Sequence, residues 1–583
     1  MTIFTGFTIL VIMFTLAMME IGDPARSALD EATRSSGASV CTQPRAPEVS
    51  PPAMLTRRDF LTASTAAAAL TATPSGARAQ SPRRSDAVPP TSPSPVTARP
   101  SDSLGGSTIN VGGNPGDLQT AVNKSQQGDT LVCPAGAIYD PVLLPVRTGP
   151  GWTCIRSSAS FTSGTRVTPS DTSRMFKVLG SGAVNDSRAI LMPGGDGGDV
   201  HSTQGWRFIG MEATHPNDNF SYAVIEAGGD RMSFESCYIH GRPTQGMRRC
   251  FFTRGNDFQI WDSWLSDAHE VGSDSQAIFF RNCARFHVEN CELQGAAENI
   301  LLGDQGSASP CLDGTIRRNH FFKPLTWLSL RNDNTPNPQY ARQNWSVKNL
   351  FEIKLAFRVL FEGNLLENSC GGNQDGTAFL INAGQVQDVL ARSNTIRTAP
   401  HMFSINTFDS VHSFPARIAL RNNLGREISG RFLLLLHRNS DVALEHNTCV
   451  PMNLAVVQPG VSMQAIHYSP DRAGYFPNHT LKRNIFGSNT YGIFVDGDQS
   501  LDVVAPDRVF LENAEFDRNG RNYSGVRRYS SLLAAGINAD GTLTSNSPLR
   551  VGRAGYFGTD AKDIGVDFEE LATAQQGAAS AQR

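Results

Sequence analysis

RVLFEGNLLEN, residues 358–368, is the segment on which the reading of the fold turns. Leu360 and Phe361 on one side and Leu365 and Leu366 on the other bracket a single amide, Asn364. Eight further segments repeat this pattern of apolar residues around a small or amide residue: MSFESCYIHG, FQIWDSWLSD, FHVENCELQG, GTIRRNHFFK, VLARSNTIRT, ARIALRNNLG, VALEHNTCV and HTLKRNIFG. With Cys237, Ser263, Cys291, Asn319, Asn364, Asn394, Asn423, Asn447 and Asn484 taken as equivalent, the spacings are 26, 28, 28, 45, 30, 29, 24 and 37 residues. A repeat of that period with insertions in two of its turns describes a solenoid whose coils each bury one layer of core. The recurring Asn has a structural role in such a body. It tolerates a left-handed turn conformation, and its amide can bond the equivalent Asn one coil away.

Each coil contributes a second strand: CFFTRG, QAIFFRN, ENILLGD, NLFEIKL, TAFLINA, HMFSINT and RFLLLLH. In NWSVKNLFEIKLAF (344–357), Phe351, Ile353 and Leu355 alternate with Glu352 and Lys354, so one face enters the core and two opposite charges share the other. Coils stacked about 4.8 Å apart bring the middle strands together. Their outward and turn positions gather Asp274, Gln276, Arg281, Glu298, Asn299, Asp304, Asn349, Glu352, Lys354, Gln374 and Asp375, and polarity then fades in the later coils. A groove is expected there.

Over 583 residues the net charge is only −3, which gives no basic footprint and argues against nucleic acid as a partner. Residues 54–79, MLTRRDFLTASTAAAALTATPSGARA, carry paired arginines, an Ala-rich apolar stretch and a small-x-small cleavage site. They read as a twin-arginine export signal, which predicts a periplasmic or secreted protein, the export machinery as a partner, and no membrane association after cleavage. Residues 1–53 then read as an upstream extension of a chain that starts at Met54, with a membrane anchor at 2–19 as the alternative. Residues 80–106, rich in Pro, Ser and Arg, read as a disordered linker, 107–569 as the solenoid, and 570–583 as a disordered tail. The ten cysteines lack metal-ligand spacing and read as stacked buried thiols with one or two disulfides. His240, His269 and His320 lie near turns and read as turn or groove residues.

STINVGGNPGDLQTAVNKSQQGDTLVCPAGAIYD (107–140) gives a strand, a short helix with Leu118, Ala121 and Val122 on one face, and a strand from Thr130 to Cys133. This resembles the N-terminal cap of a right-handed parallel β-helix of the pectate-lyase type, in which the helix covers the open end of the first coil. The blocks EVGSDSQAIFF, VENCELQGAAENILLGD, IRRNHFFKPLTW and NQDGTAFLI, with the tail SPLRVGRAGYFGTDAKDIGVDFEEL, resemble a group of bacterial secreted proteins of that fold, without the group's having a settled reaction. The polar insertion LSLRNDNTPNPQYARQN between Trp327 and Trp345 departs from the group and is expected to edge the groove.

Many β-helix proteins of this resemblance cleave acidic polysaccharides by β-elimination. That chemistry needs a base for the proton beside a uronate carboxylate and a cation or hydrogen-bond array for the enolate. The expected catalytic set is Lys354 as base, its pKa lowered by Arg281 or by burial, with Arg281, Glu298 and Glu352 around it. Asp274, Gln276, Asn299, Asn349, Gln374 and Asp375 are expected to bind the polysaccharide, and Trp327 and Trp345 to stack on sugar faces. By the same resemblance, Glu298, Asp304 and Glu352 are the candidate ligands of a Ca²⁺ ion. Two alternatives stand beside the lyase-like reading: a glycoside hydrolase with paired carboxylates drawn from Glu298, Glu352 and Asp375, and a β-helix that binds glycan without cleaving it or acts as a structural spacer.

Overall fold

The computed structural model describes residues 86–95, 99–101, 104–192, 203–304, 309–369, 376–407, 414–452, 465–470, 475–497, 499–517 and 521–576. The export signal, residues 1–53, and Gln374 and Asp375 lie outside them. Strands of the described residues pair in parallel as one 24-stranded and one 14-stranded sheet. The larger sheet holds two ladders, which merge where the strands Phe351–Glu362 and Thr377–Arg392 run through both. Three faces thus wrap one axial core. The fold is a right-handed parallel β-helix, the hand that parallel crossovers take almost without exception. At the N-terminal end the helix Asp117–Lys124 buries Leu118, Ala121 and Val122 over the first coil, as its spacing requires.

The core is filled by aromatic residues that meet within a coil, as Phe351 on Phe361 (centroids 4.5 Å apart), and between successive coils, as Phe351 beside Phe379 (5.0 Å). All eight described cysteines are buried free thiols, so among them the expected disulfides do not form.

The asparagine column is present and continuous. The backbone N–H of Asn319 donates to Asn364 Oδ1 (3.0 Å), that of Asn364 to Asn394 (2.9 Å), and the series runs on through Asn423, Asn447 and Asn484 to Asn513. Side-chain amides repeat the same links, as from Asn364 Nδ2 to Asn394 Oδ1 (3.1 Å). The left-handed backbone does not belong to these asparagines, contrary to expectation. It falls one residue earlier, at Arg318 (φ 56°), Gly363 (65°), Ser393 (53°), Asn422 (53°), His446 (54°) and Arg483 (56°). The turn is made by its predecessor, and the Asn side chain then satisfies the buried backbone groups the turn exposes.

Both regions read as disordered are ordered where described. Residues 568–574 form a helix, Asp567 caps it, and Leu571 packs with Leu424 and Val566. The described parts of the expected linker are bonded to the solenoid at Ala87, Val88, Thr91, Ser94 and Arg99. The linker carries no apolar period, because its ties are backbone N–H groups and charges.

Candidate functional site

Alternation places Phe351 and Ile353 in the core and turns Glu352 out, in register with Leu301, Leu380, Ser404 and Leu434 of neighbouring coils. Asn349, just before the strand, donates to Glu352 Oε2 (3.1 Å), and Asn382 from the next coil donates to Oε1 (3.0 Å). Lys354 Nζ stands 3.7 Å from the same Oε1. One coil earlier, Glu298 Oε2 accepts from Gln276 Nε2 (2.8 Å), whose Oε1 accepts from Arg249 (3.1 Å). Lys348 pairs with Asp274.

These groups line one cavity of about 330 Å³, with Asp274, Glu298, Lys348, Asn349, Glu352 and Lys354 at one end and Thr377, Asn382, His401, Ser404 and Asn406 continuing it. Its electrostatics divide the carboxyls. Burial, and then the charges of Asp274 and Glu352, push Glu298 up to about 8, against the smaller pull of Lys354 and the Gln276 bond. Burial also opposes ionisation of Asp274, but Lys348, Lys354 and Arg248 outweigh it and hold that carboxyl below its usual range. For Lys354, burial favours the neutral amine, yet Glu352, Glu298 and Asp274 together prevail and raise its pKa. The groove therefore contains a carboxylic acid that keeps its proton at neutral pH beside carboxylates and two ammonium groups.

Beneath it, the fully buried Lys323 donates to the carbonyls of Gly295 (2.7 Å), Ala296 (2.7 Å) and Ala297 (3.2 Å), fixing the turn that delivers Glu298. Burial pulls this amine down to about 7.

Of the expected site residues, the structure brings together Lys354, Glu298, Glu352, Asp274 and Asn349, with Gln276 buried behind Glu298. The others differ for identifiable reasons. Arg281 pairs with Asp304 (3.0 Å), and neither lines the cavity. Asn299 is fully buried and donates to the carbonyls of Leu293 and Phe322, so it serves the interior. Trp327 and Trp345 are 5% and 7% exposed and enclose His269, with Trp345 stacked on it at 4.0 Å; they are the core of the insertion and offer no sugar platform. Lys354 is held as a cation, the reverse of the shift expected for a base. The Ca²⁺ set does not assemble either, since Asp304 is elsewhere, Glu298 retains its proton, and two lysines occupy the groove. Among the described residues no group of three His, Cys, Asp or Glu side chains could hold a metal ion.

Lys348, Thr377, Asn382, His401, Ser404 and Asn406 escaped the sequence reading. The signal for the last three was the polar content of HMFSINT, which was passed over as a fading coil.

No family model matches the sequence, and no curated protein matches it. Among solved structures the chain is similar to an alginate lyase, AlyGC, at 11% identity and a TM-score of 0.36, with 73% of this chain and 53% of that one covered. The chain thus spans about half of that lyase. It is also similar to PfbA, a surface adhesin of Streptococcus pneumoniae (11% identity, TM-score 0.40, 71% and 93% covered), and to a polygalacturonase from Erwinia carotovora (10% identity, TM-score 0.30, 77% and 100% covered).

Proposed function

We propose that the protein is a glycan-cleaving enzyme of the glycoside hydrolase kind, with Glu298 as proton donor and Glu352 as the second carboxylate. The observation that carries this reading is the setting of Glu298: buried, and lining the groove together with Asp274 and Glu352, whose charges oppose its ionisation, it retains a proton at neutral pH. An acid in that state can protonate a glycosidic oxygen while a neighbouring carboxylate activates water or attacks the anomeric carbon. The strands bearing the two residues are direct neighbours, Leu301 pairing with Glu352. Asn349 and Asn382 orient the Glu352 carboxylate from two sides. Lys348 and Lys354 supply positive charge suited to an acidic sugar.

Those two lysines also favour β-elimination as the second reading, since they can neutralise a uronate carboxylate. Its difficulty is the base, because Lys354 is held protonated. Incubation of the full chain with a panel of acidic and neutral polysaccharides separates the two. Reducing ends without an unsaturated, ultraviolet-absorbing product support hydrolysis; both together support elimination; neither, with glycan retained, leaves a binding protein.

We further propose export through the twin-arginine route, on the paired Arg57 and Arg58 and the Ala77–Ala79 cleavage site. Replacing both arginines by Lys should abolish export. Exported double-Lys protein would overturn this.

A further inference from the structure

Six residues before each position of the asparagine column lies a second column with a charge pattern of its own. It reads Arg231, Asp257, Arg285, Asp313, Arg358, Asp388, Arg417, Asp441 and Asn478, one residue per coil, and every member has a positive φ between 52° and 59°. Coil stacking makes them neighbours, and the alternation sets opposite charges side by side as pairs: Arg285 on Asp257, Arg358 on Asp313 and Arg417 on Asp388, each at 2.7 Å. Asn478 donates to Asp441 (3.0 Å). The aspartates therefore recur every second coil, about 9.6 Å apart from strand spacing.

The segment Ala87–Pro95, AVPPTSPSP, crosses this column. Val88 N–H donates to Asp441 Oδ1 (3.3 Å), Thr91 N–H to Asp388 Oδ1 (2.8 Å) and Ser94 N–H to Asp313 Oδ1 (2.8 Å). The donors are three residues apart. Four prolines in nine residues favour the polyproline II conformation, which repeats every three residues and rises about 9.3 Å in doing so. The peptide's period thus matches the aspartate period to within a few tenths of an ångström. Pro93 and Pro95 face Trp261, Leu360 and Leu390 across a cavity of about 400 Å³. Both ends are anchored by charge, Asp86 to Lys482 (2.7 Å) and Arg99 to Glu235 (2.7 Å) and Asp262 (3.1 Å).

We propose that the alternate-coil aspartates form a recognition track for a polyproline II peptide, and that its ligand is residues 87–95 of this same chain, held as an axial clamp. The track reads backbone N–H groups at a fixed interval, so it selects conformation and register ahead of side-chain identity. None of its residues lines the candidate groove, so its failure and that of the hydrolase reading are distinguishable.

Site-resolved hydrogen exchange of the full chain tests this without a variant. Residues 87–95 carry five N–H groups, at Ala87, Val88, Thr91, Ser92 and Ser94. Four are bonded, Ala87 to Thr480 Oγ1 (2.9 Å) and the others as above, and among the described residues nothing accepts that of Ser92. Ser92 should exchange at least about tenfold faster than Thr91 and Ser94, whose bonds must open first. Five amides exchanging alike, at the rate of a free peptide, would overturn the proposal. The full-length double variant Thr91→Pro, Ser94→Pro keeps the extended backbone but deletes two donors. Its remaining Val88 N–H should exchange about tenfold faster, while the amides of the solenoid exchange as before; an unchanged Val88 rate would show that the aspartates do not hold the segment.

Discussion

Replacing Asn364 by Leu tests the central claim about how the coils are joined. Both Asn364 and Asn319 are fully buried, so water cannot take over any bond that is lost. Leu removes the acceptor of the Asn319 N–H (3.0 Å) and of its side-chain amide (3.1 Å), and the donor to Ile316 O (3.0 Å) and to Asn394 Oδ1 (3.1 Å). The Asn319 N–H is left orphaned, at about 1–3 kcal/mol, and the remaining bonds contribute about 0.5–1.5 kcal/mol each. The Asn319 amide keeps Val288 O (2.9 Å), and Asn394 keeps the backbone N–H of residue 364, which limits the loss. The expected destabilisation is about 3–5 kcal/mol. A repeat array need not unfold as one unit. The measurement is therefore hydrogen exchange of peptides spanning 311–322 and 358–368 alongside urea denaturation, with exposed Asn123→Leu as the control. A change under about 1 kcal/mol at Asn364 would refute the view that the column holds the turns together.

Glu298→Gln should lower turnover at least about 100-fold with little change in melting temperature, the scale expected for losing a general acid. On the active substrate, kcat/KM of the wild type should fall as pH rises through about 8, where Glu298 gives up its proton. Because Lys354 pulls the Glu298 pKa down, Lys354→Ala should move that basic limb to higher pH; a shift to lower pH would refute the assigned coupling. Asp313 is held below its ordinary value of 3.8 by hydrogen bonds from Arg358 and, less strongly, from the Ser94 amide. A depressed carboxyl stabilises fully above the unfolded value and loses that contribution as pH falls through the folded one. Protease sensitivity of residues 87–95 should accordingly stay flat above pH 3.8 and rise below it.

Much of this architecture could be read from the chain because each coil must solve the same steric problem at the same place. That repetition made the column from Asn319 to Asn484 visible, and the period-two pattern of Phe351, Glu352 and Ile353 placed Glu352 in the groove. What the chain did not disclose depends on closure in three dimensions. Trp327 and Trp345 flank a polar insertion and look available, but the insertion folds back so that both enclose His269. Lys348 lies in irregular backbone, where no period points at a face. Lys354 carried no mark of its pKa direction, which is set by three carboxyls gathered from different coils. The alternating Asp and Arg at a constant offset of six from the column was legible and is the signal for the seat of residues 87–95.

The lengthwise seat of residues 87–95 gives the protein an anisotropic response to force. Pulled by its two ends, a bare stack of coils would peel open one ladder at a time, each failure transferring the load to the next. Here a proline-rich segment runs from Thr480 back to Asp313, and its bonds point sideways onto the stack. Tension along the axis would load those bonds together in shear, whereas a sideways pull on the segment would break them in sequence. The body should behave as a tendon-stiffened rod, rigid in tension and easily stripped from one side.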